Sequence, residues 1–133
     1  MNKLVIIFFC LIILFFLPII SKSQTDTKIS QKTRAELHYK DGENSFKKGN
    51  YERALYEFSQ AIEADPGFAE AYMNRGITIA EMGNFRKAML DFNKAIQLKP
   101  KSEEAYNLRG TTFADLKDFY SAISDFNKAI SLK

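Results

Sequence analysis

Histidine, cysteine and valine each occur once in this 133-residue chain, as His38, Cys10 and Val5. A lone cysteine permits no internal disulfide and no cysteine-built metal site. A lone histidine leaves any serine-histidine-acid relay or zinc-ligand set with only His38 to use, and that residue lies on an apolar packing stripe, where a partly buried structural role is expected. The glycines are spaced for helix packing and not as a phosphate loop. Acidic neighbours such as Glu103 and Glu104 open a helix, where they favour its dipole. Catalysis, cofactors and metals are therefore not expected. Charge of one sign is also missing. The 19 basic residues include Lys3 and Lys22, outside the part that folds, and the rest are nearly balanced by 16 acidic ones. With the two signs interleaved there is no basic face to grip a phosphate backbone, which argues against nucleic acid. The absence of valine beyond residue 5, together with abundant alanine, favours helix over strand.

The first 23 residues are of a different kind. Lys3 precedes an unbroken apolar run from Leu4 to Leu17, followed by Pro18 and by Ser21-Lys22-Ser23. A charged start, an apolar middle and small residues after a helix breaker are the parts of a secretory signal peptide, with cleavage before Gln24. The alternative is an uncleaved anchor. Leu4 to Ile20 as helix measures about 25 Å against a hydrocarbon core of ~30 Å, marginal for spanning but enough for membrane association through residues 4–20. Either way the protein is expected to be exported to the periplasm, envelope or exterior, or held at the membrane by this segment. Phe8 and Phe9 stand before Cys10 where a lipoprotein signal has small residues, so lipidation there is not expected. Residues 24–34 are polar and aperiodic, which reads as a flexible linker.

Beyond this point the sequence repeats every 34 residues. Gly42, Gly76 and Gly110 share a register, as do Ala54, Ala88 and Ala122; Phe58, Phe92 and Phe126; Ala61, Ala95 and Ala129; and Ile62, Ile96 and Ile130. Glu57, Asp91 and Asp125 form an acidic column, and Asn50, Asn84 and Asp118 a turn-forming one. The repeats run 35–68, 69–102 and 103–133. Ala54, Phe58, Ala61 and Ile62 make one helical stripe, with Glu52, Arg53, Glu57 and Gln60 on the opposite, polar face. A preceding helix carries His38, Gly42 and Phe46, and ends at Gly49-Asn50. Each unit is thus a helical hairpin whose glycine lets the second helix approach beside a phenylalanine. Thr33 to Glu36 reads as a capping box, and Asp65 and Ser102 as caps for the next two hairpins.

This pattern resembles the tetratricopeptide repeat family, most closely through Tyr72, Gly76, Ile79, Ala88, Phe92, Ala95 and Pro100 and then Tyr106, Gly110, Phe113, Ala122, Phe126 and Ala129. The resemblance implies an all-α fold of three helix-turn-helix hairpins stacked as a right-handed superhelix. It also implies a concave groove, lined by the first helix of each unit, that binds an extended peptide or a helix. The groove would present Glu36, Tyr39, Lys40 and Glu43, then Met73, Asn74 and Ile77, then Asn107, Leu108 and Thr111. Met73, Ile77 and Leu108 would form an apolar strip, with Asn74 and Asn107 offering amides to a peptide backbone. Family members that clamp acidic chaperone tails use Lys, Asn, Asn, Lys and Arg at places held here by Tyr39, Glu43, Asn74, Glu104 and Leu108. Only Asn74 matches, and two places are acidic, so a double carboxylate would be repelled. The third repeat is three residues short, with no capping helix, so Tyr120, Ile123, Asn127 and Ile130 are expected on an open face. The function expected is a non-catalytic adaptor for a protein or peptide partner. The alternative is a structural subunit of a membrane-associated assembly, using the leader and the open third repeat, the latter also a route to a homodimer.

Overall fold

A computed structural model describes the backbone of residues 3–133 and the side chains of residues 25–133, so the side chains of the leader expected over residues 1–23 lie outside what is described. The described residues form six helices: α1 (Lys3–Lys47), α2 (Tyr51–Ala64), α3 (Ala69–Glu81), α4 (Phe85–Leu98), α5 (Glu103–Asp115) and α6 (Phe119–Ser131). No strand occurs among the described residues, in line with the composition's preference for helix and with the all-α fold that the resemblance implies. Among the described residues no helix is long and apolar enough to cross a membrane. Contacts divide the chain after Thr33, and the repeats occupy the compact unit Arg34–Lys133.

Two local expectations change. Residues 25–34 continue α1 as helix, so Thr33 heads no capping box; its hydroxyl donates to the Ile29 carbonyl one turn back. Asp65 does not cap α3 either. Its carboxylate turns onto the Gly67 N–H, and Phe68, which has no side-chain acceptor, occupies the cap position. Ser102 does cap α5, accepting from the Ala105 N–H. The turn-forming column caps the second helices: Asn50, Asn84 and Asp118 accept from the backbone of Arg53, Lys87 and Ser121.

Within the unit, α3 pairs with α4 and α5 with α6, while α2 against α3 and α4 against α5 join successive hairpins. The alanine columns are why the helices can close. Ala54, Ala61, Ala88, Ala95, Ala122 and Ala129 are all buried, so no long side chain holds the backbones apart. Phe58 and Phe92 fill the space beside Gly42 and Gly76 and are themselves buried. Next to them Ile79, Ala88 and Phe92 form one cluster, and Met73, Ala95 and Ala105 another across the α3–α5 seam.

The first helix of each hairpin stops on a left-handed residue, with the following N–H reaching back five residues: Asn50 to Ser45, Asn84 to Ile79, Asp118 to Phe113. Glycine serves in the first two turns, but the third uses Lys117 at φ 65°. An L side chain in that conformation costs roughly 1–2 kcal/mol. Lys117→Gly is therefore expected to raise the unfolding free energy by about 1 kcal/mol, measured by urea denaturation. An unchanged midpoint would show that the turn carries no such strain.

Candidate functional site

The first helices, α1, α3 and α5, lie side by side, and what fixes their orientation is a set of buried charges. Glu57, Asp91 and Asp125 are not on a solvent face, as the helical pattern suggested: they are only 2%, 5% and 6% exposed. Arg75 on α3 donates from Nε and Nη2 to both Asp91 oxygens on α4, at 2.8 and 2.7 Å, and from Nη1 to Ser59 on α2 at 3.3 Å. Arg109 repeats this one unit on, with Asp125 on α6 and Asn93 on α4. Each arginine thus staples three helices. The bond to the aspartate raises the arginine pKa in both cases, outweighing the opposing effect of burial. In the first repeat Asp41 stands at the arginine register, and Glu57 is met by His38 at 2.7 Å and by Arg53. His38 is therefore a half-buried structural residue, as expected.

One cavity, of about 630 Å³, opens where Glu70 and Met73 of α3 meet Lys99, Lys101, Ser102 and Glu104. Two more open further along these helices. One, of about 180 Å³, lies between α1 and α3 and is lined by Glu43, Phe46, Lys47, Phe58, Asn74 and Ile77. The other, of about 440 Å³, lies between α3 and α5; Ile77, Ala80, Phe92, Leu108 and Thr111 form its wall, with Glu81 and Asp115 also on its lining. So Glu43, Asn74 and Ile77 come together in the first cavity, and Ile77, Leu108 and Thr111 in the second. Lys40 and Asn107 are exposed and line neither.

Met73 does not belong to an apolar groove strip. It is 5% exposed, packed on Ala95 and Ala105, because stacking α5 onto α3 turns that position into a seam. Asn74 is also partly committed, since its amide donates to the Tyr39 hydroxyl at 2.8 Å instead of standing free for a backbone. Phe46, Ala80, Glu81 and Asp115 were missed by sequence reasoning. The signal for them was the 34-residue register, which makes Ala80 the counterpart of Phe46 and Glu81 and Asp115 the counterparts of Lys47. On α6, Tyr120 is 91% exposed and Ile123, Asn127 and Ile130 are exposed with it.

Tyr39 packs its ring on Phe68 and Phe58, with centroids 4.8 and 5.8 Å away. Burial, and then the charge and hydrogen bond of Glu43, push its hydroxyl up from 10.0 to about 12. The neutral phenol is thus favoured by folding. Its contribution is complete below pH 10, where the unfolded tyrosine would ionise, and is lost as pH rises through 12. Tyr39→Phe is expected to reduce the loss of thermal stability between pH 10 and 12. Parallel pH curves for variant and parent would exclude this contribution.

The fold and its groove define a helical-hairpin repeat protein. The description "TPR repeat" matches residues 42–83, and "Tetratricopeptide repeat" matches residues 69–102 and again 103–133. The chain belongs to the tetratricopeptide repeat family. Among solved structures it is similar to the Arabidopsis OM64 TPR domain, with 27% identity, 77% of this chain and 85% of that one covered, and a TM-score of 0.75. The second TPR of Spaghetti (RPAP3) bound to the HSP90 peptide SRMEEVD shows 27% identity, 81% and 99% coverage, and a TM-score of 0.77. The TPR2B domain of yeast Sti1 in a pHsp70 complex shows 28%, 75% and 80%, and 0.74. A search of curated proteins gives no match.

Proposed function

We propose that the repeats act as a non-catalytic adaptor, receiving an extended segment of a partner protein along α1, α3 and α5. The observation that carries this reading is the pair of cavities opening in line between the three first helices. Similar domains named for their complexes with HSP90 and Hsp70 peptides support it. The cargo here is not an acidic tail. Glu43 and Glu104 stand where the clamp has Asn and Lys, and Leu108 where it has Arg, so a terminal carboxylate would meet like charge. Asn107→Arg with Thr111→Arg alters two exposed positions, so the hairpins should fold unchanged. Crosslinked partners of the parent protein are expected to disappear with this variant; partners retained in full would remove the groove reading. The leader over residues 1–23 makes this an exported or membrane-held adaptor. Mass spectrometry finding a mature chain that begins at Gln24 would select export with cleavage, and persistence of Met1 in the membrane fraction would select the anchor.

A second reading rests on α6. Tyr120, Ile123 and Ile130 are exposed at 91%, 60% and 70%. Met89 and Ile96, one repeat earlier, stand at the registers of Ile123 and Ile130 and are partly covered. The exposed face therefore suits the first helix of another hairpin, supplied by a second copy or by a membrane-associated assembly. Sedimentation at micromolar concentration is expected to show a dimer that Ile123→Asp dissociates; a strict monomer would remove self-association.

A further inference from the structure

The two cavities are the same cavity one repeat apart, and the substitutions between them specify a ligand. Phe58 in the first corresponds to Phe92 in the second, and Ile77 to Thr111. Three differences matter. Phe46, which fills the first cavity, is replaced by Ala80, and the volume rises from about 180 to about 440 Å³. Asn74 is replaced by Leu108, so the wall facing Phe92 becomes apolar. Lys47 is replaced by Glu81, and Asp115 stands at the same register on α5, so the second cavity has two carboxylates and no cation on its lining. Neither Glu81 nor Asp115 has an ion-pair partner among the described residues. The opposite margin is of mixed sign: Glu36, Glu70 and Glu104 share one register, but Lys99, paired to Glu70, and Lys101 line the same cavity as Glu70 and Glu104, so the uncompensated acid lies at Glu81 and Asp115.

We infer that the α3–α5 cavity takes one large apolar side chain of an extended partner segment, with Lys or Arg beside it paired to Glu81 and Asp115. This rests on the groove being the ligand face. Charge complementarity chooses the occupant: Glu81 and Asp115 on a cavity without a cation favour a cationic segment over an acidic one. Spacing adds a second condition. Neighbouring packed helices lie about 8–10 Å apart, which is three residues of extended chain at roughly 3.1–3.3 Å each. A polyproline-type segment repeats its face every three residues. The large apolar residue in the α3–α5 cavity is therefore accompanied, three positions away, by a small residue against the α1–α3 cavity.

The test is selection of random nine-residue peptides on the full chain in nonionic detergent, followed by fluorescence anisotropy of the enriched peptides. The expected consensus is one Leu, Met or Phe flanked by Lys or Arg, with a small residue three positions from the anchor. Glu81→Gln with Asp115→Asn is expected to weaken such a peptide about tenfold and to flatten its salt dependence. Ala80→Phe restores the side chain that the first repeat already accommodates. It is expected to abolish the preference for the large residue over alanine while keeping the salt-dependent part. Enrichment of acidic or neutral peptides that compete through Asn107→Arg with Thr111→Arg would overturn the inference and leave the groove reading standing. Failure to enrich any peptide sensitive to that double variant would overturn both. A large-residue preference surviving Ala80→Phe would show that the anchor lies elsewhere.

Discussion

Asp91→Ala is expected to lower the unfolding free energy by on the order of 3 kcal/mol, a large part of what holds a domain of this size. The reason is what remains. Arg75 is clamped by both Asp91 oxygens and is tied to Ser59, so one guanidinium links α2, α3 and α4. Removing the carboxylate leaves that cation half-buried against Tyr72, over whose ring it lies 5.5 Å from the centroid, with no counter-charge. Because the arginine side chain is 24% exposed it can partly turn to water, which places the cost at the lower end of the range for broken buried pairs. Replacing both partners, Arg75→Met with Asp91→Leu, is expected to recover most of the loss, since neither charge is then stranded. Urea denaturation of the two singles and the double closes the cycle. If the double is no better than the sum of the singles, the pair acts by packing and not by charge compensation.

This staple marks where sequence reading stopped. The period, the hairpins and the glycine-phenylalanine seams were legible because each rests on one residue type held in one register. Buried acid was not. Within a single helix Asp91 falls on the polar side, and only its pairing with an arginine 16 residues earlier, repeated as Arg109 and Asp125, shows that the polar side of α4 is an interior. The groove was half legible for a related reason. Tyr39, Met73 and Asn107 share one register, yet Tyr39 is half-buried under Phe68, Met73 is buried under α5, and Asn107 is exposed. A face that is outer for one hairpin becomes a seam when the next is stacked on it, so identical positions acquire different roles. Ile77 and Leu108 escape this only in part. They pack on the Phe92 cluster from one side and line the α3–α5 cavity from the other.

The seams themselves supply the other large effect. Gly76→Leu is expected to cost about 3 kcal/mol, at the upper end for overpacking. Even the first carbon of a side chain at Gly76 would lie 2.7 Å from Phe92 Cε1 and 3.1 Å from its Cδ1. Phe92 is 1% exposed and packed on Ile79 and Ala88, so the ring can yield only toward the α3–α5 cavity it lines, and a leucine needs more room than that shift gives, so the helices must separate. Gly110 makes nearly the same contact, 2.8 Å to Phe126 Cε1, but Phe126 is only partly buried. Its ring can swing outward, which leaves the Ala122 carbonyl at 3.3 Å as the remaining close contact, so Gly110→Leu should cost less than Gly76→Leu although the local sequence is alike. Alanine separates the steric term from backbone entropy. A helical glycine gains about 1 kcal/mol on becoming alanine, so any net loss in Gly76→Ala is overpacking in excess of that gain. Shortening the opposing ring, Phe92→Leu, makes room for the new methyl. Gly76→Ala in that background is therefore expected to be neutral or stabilising, though Phe92→Leu by itself destabilises. Equal penalties for Gly76→Ala in the parent chain and in the Phe92→Leu variant, measured by urea denaturation, would mean that the glycine is required for something other than the approach of α4.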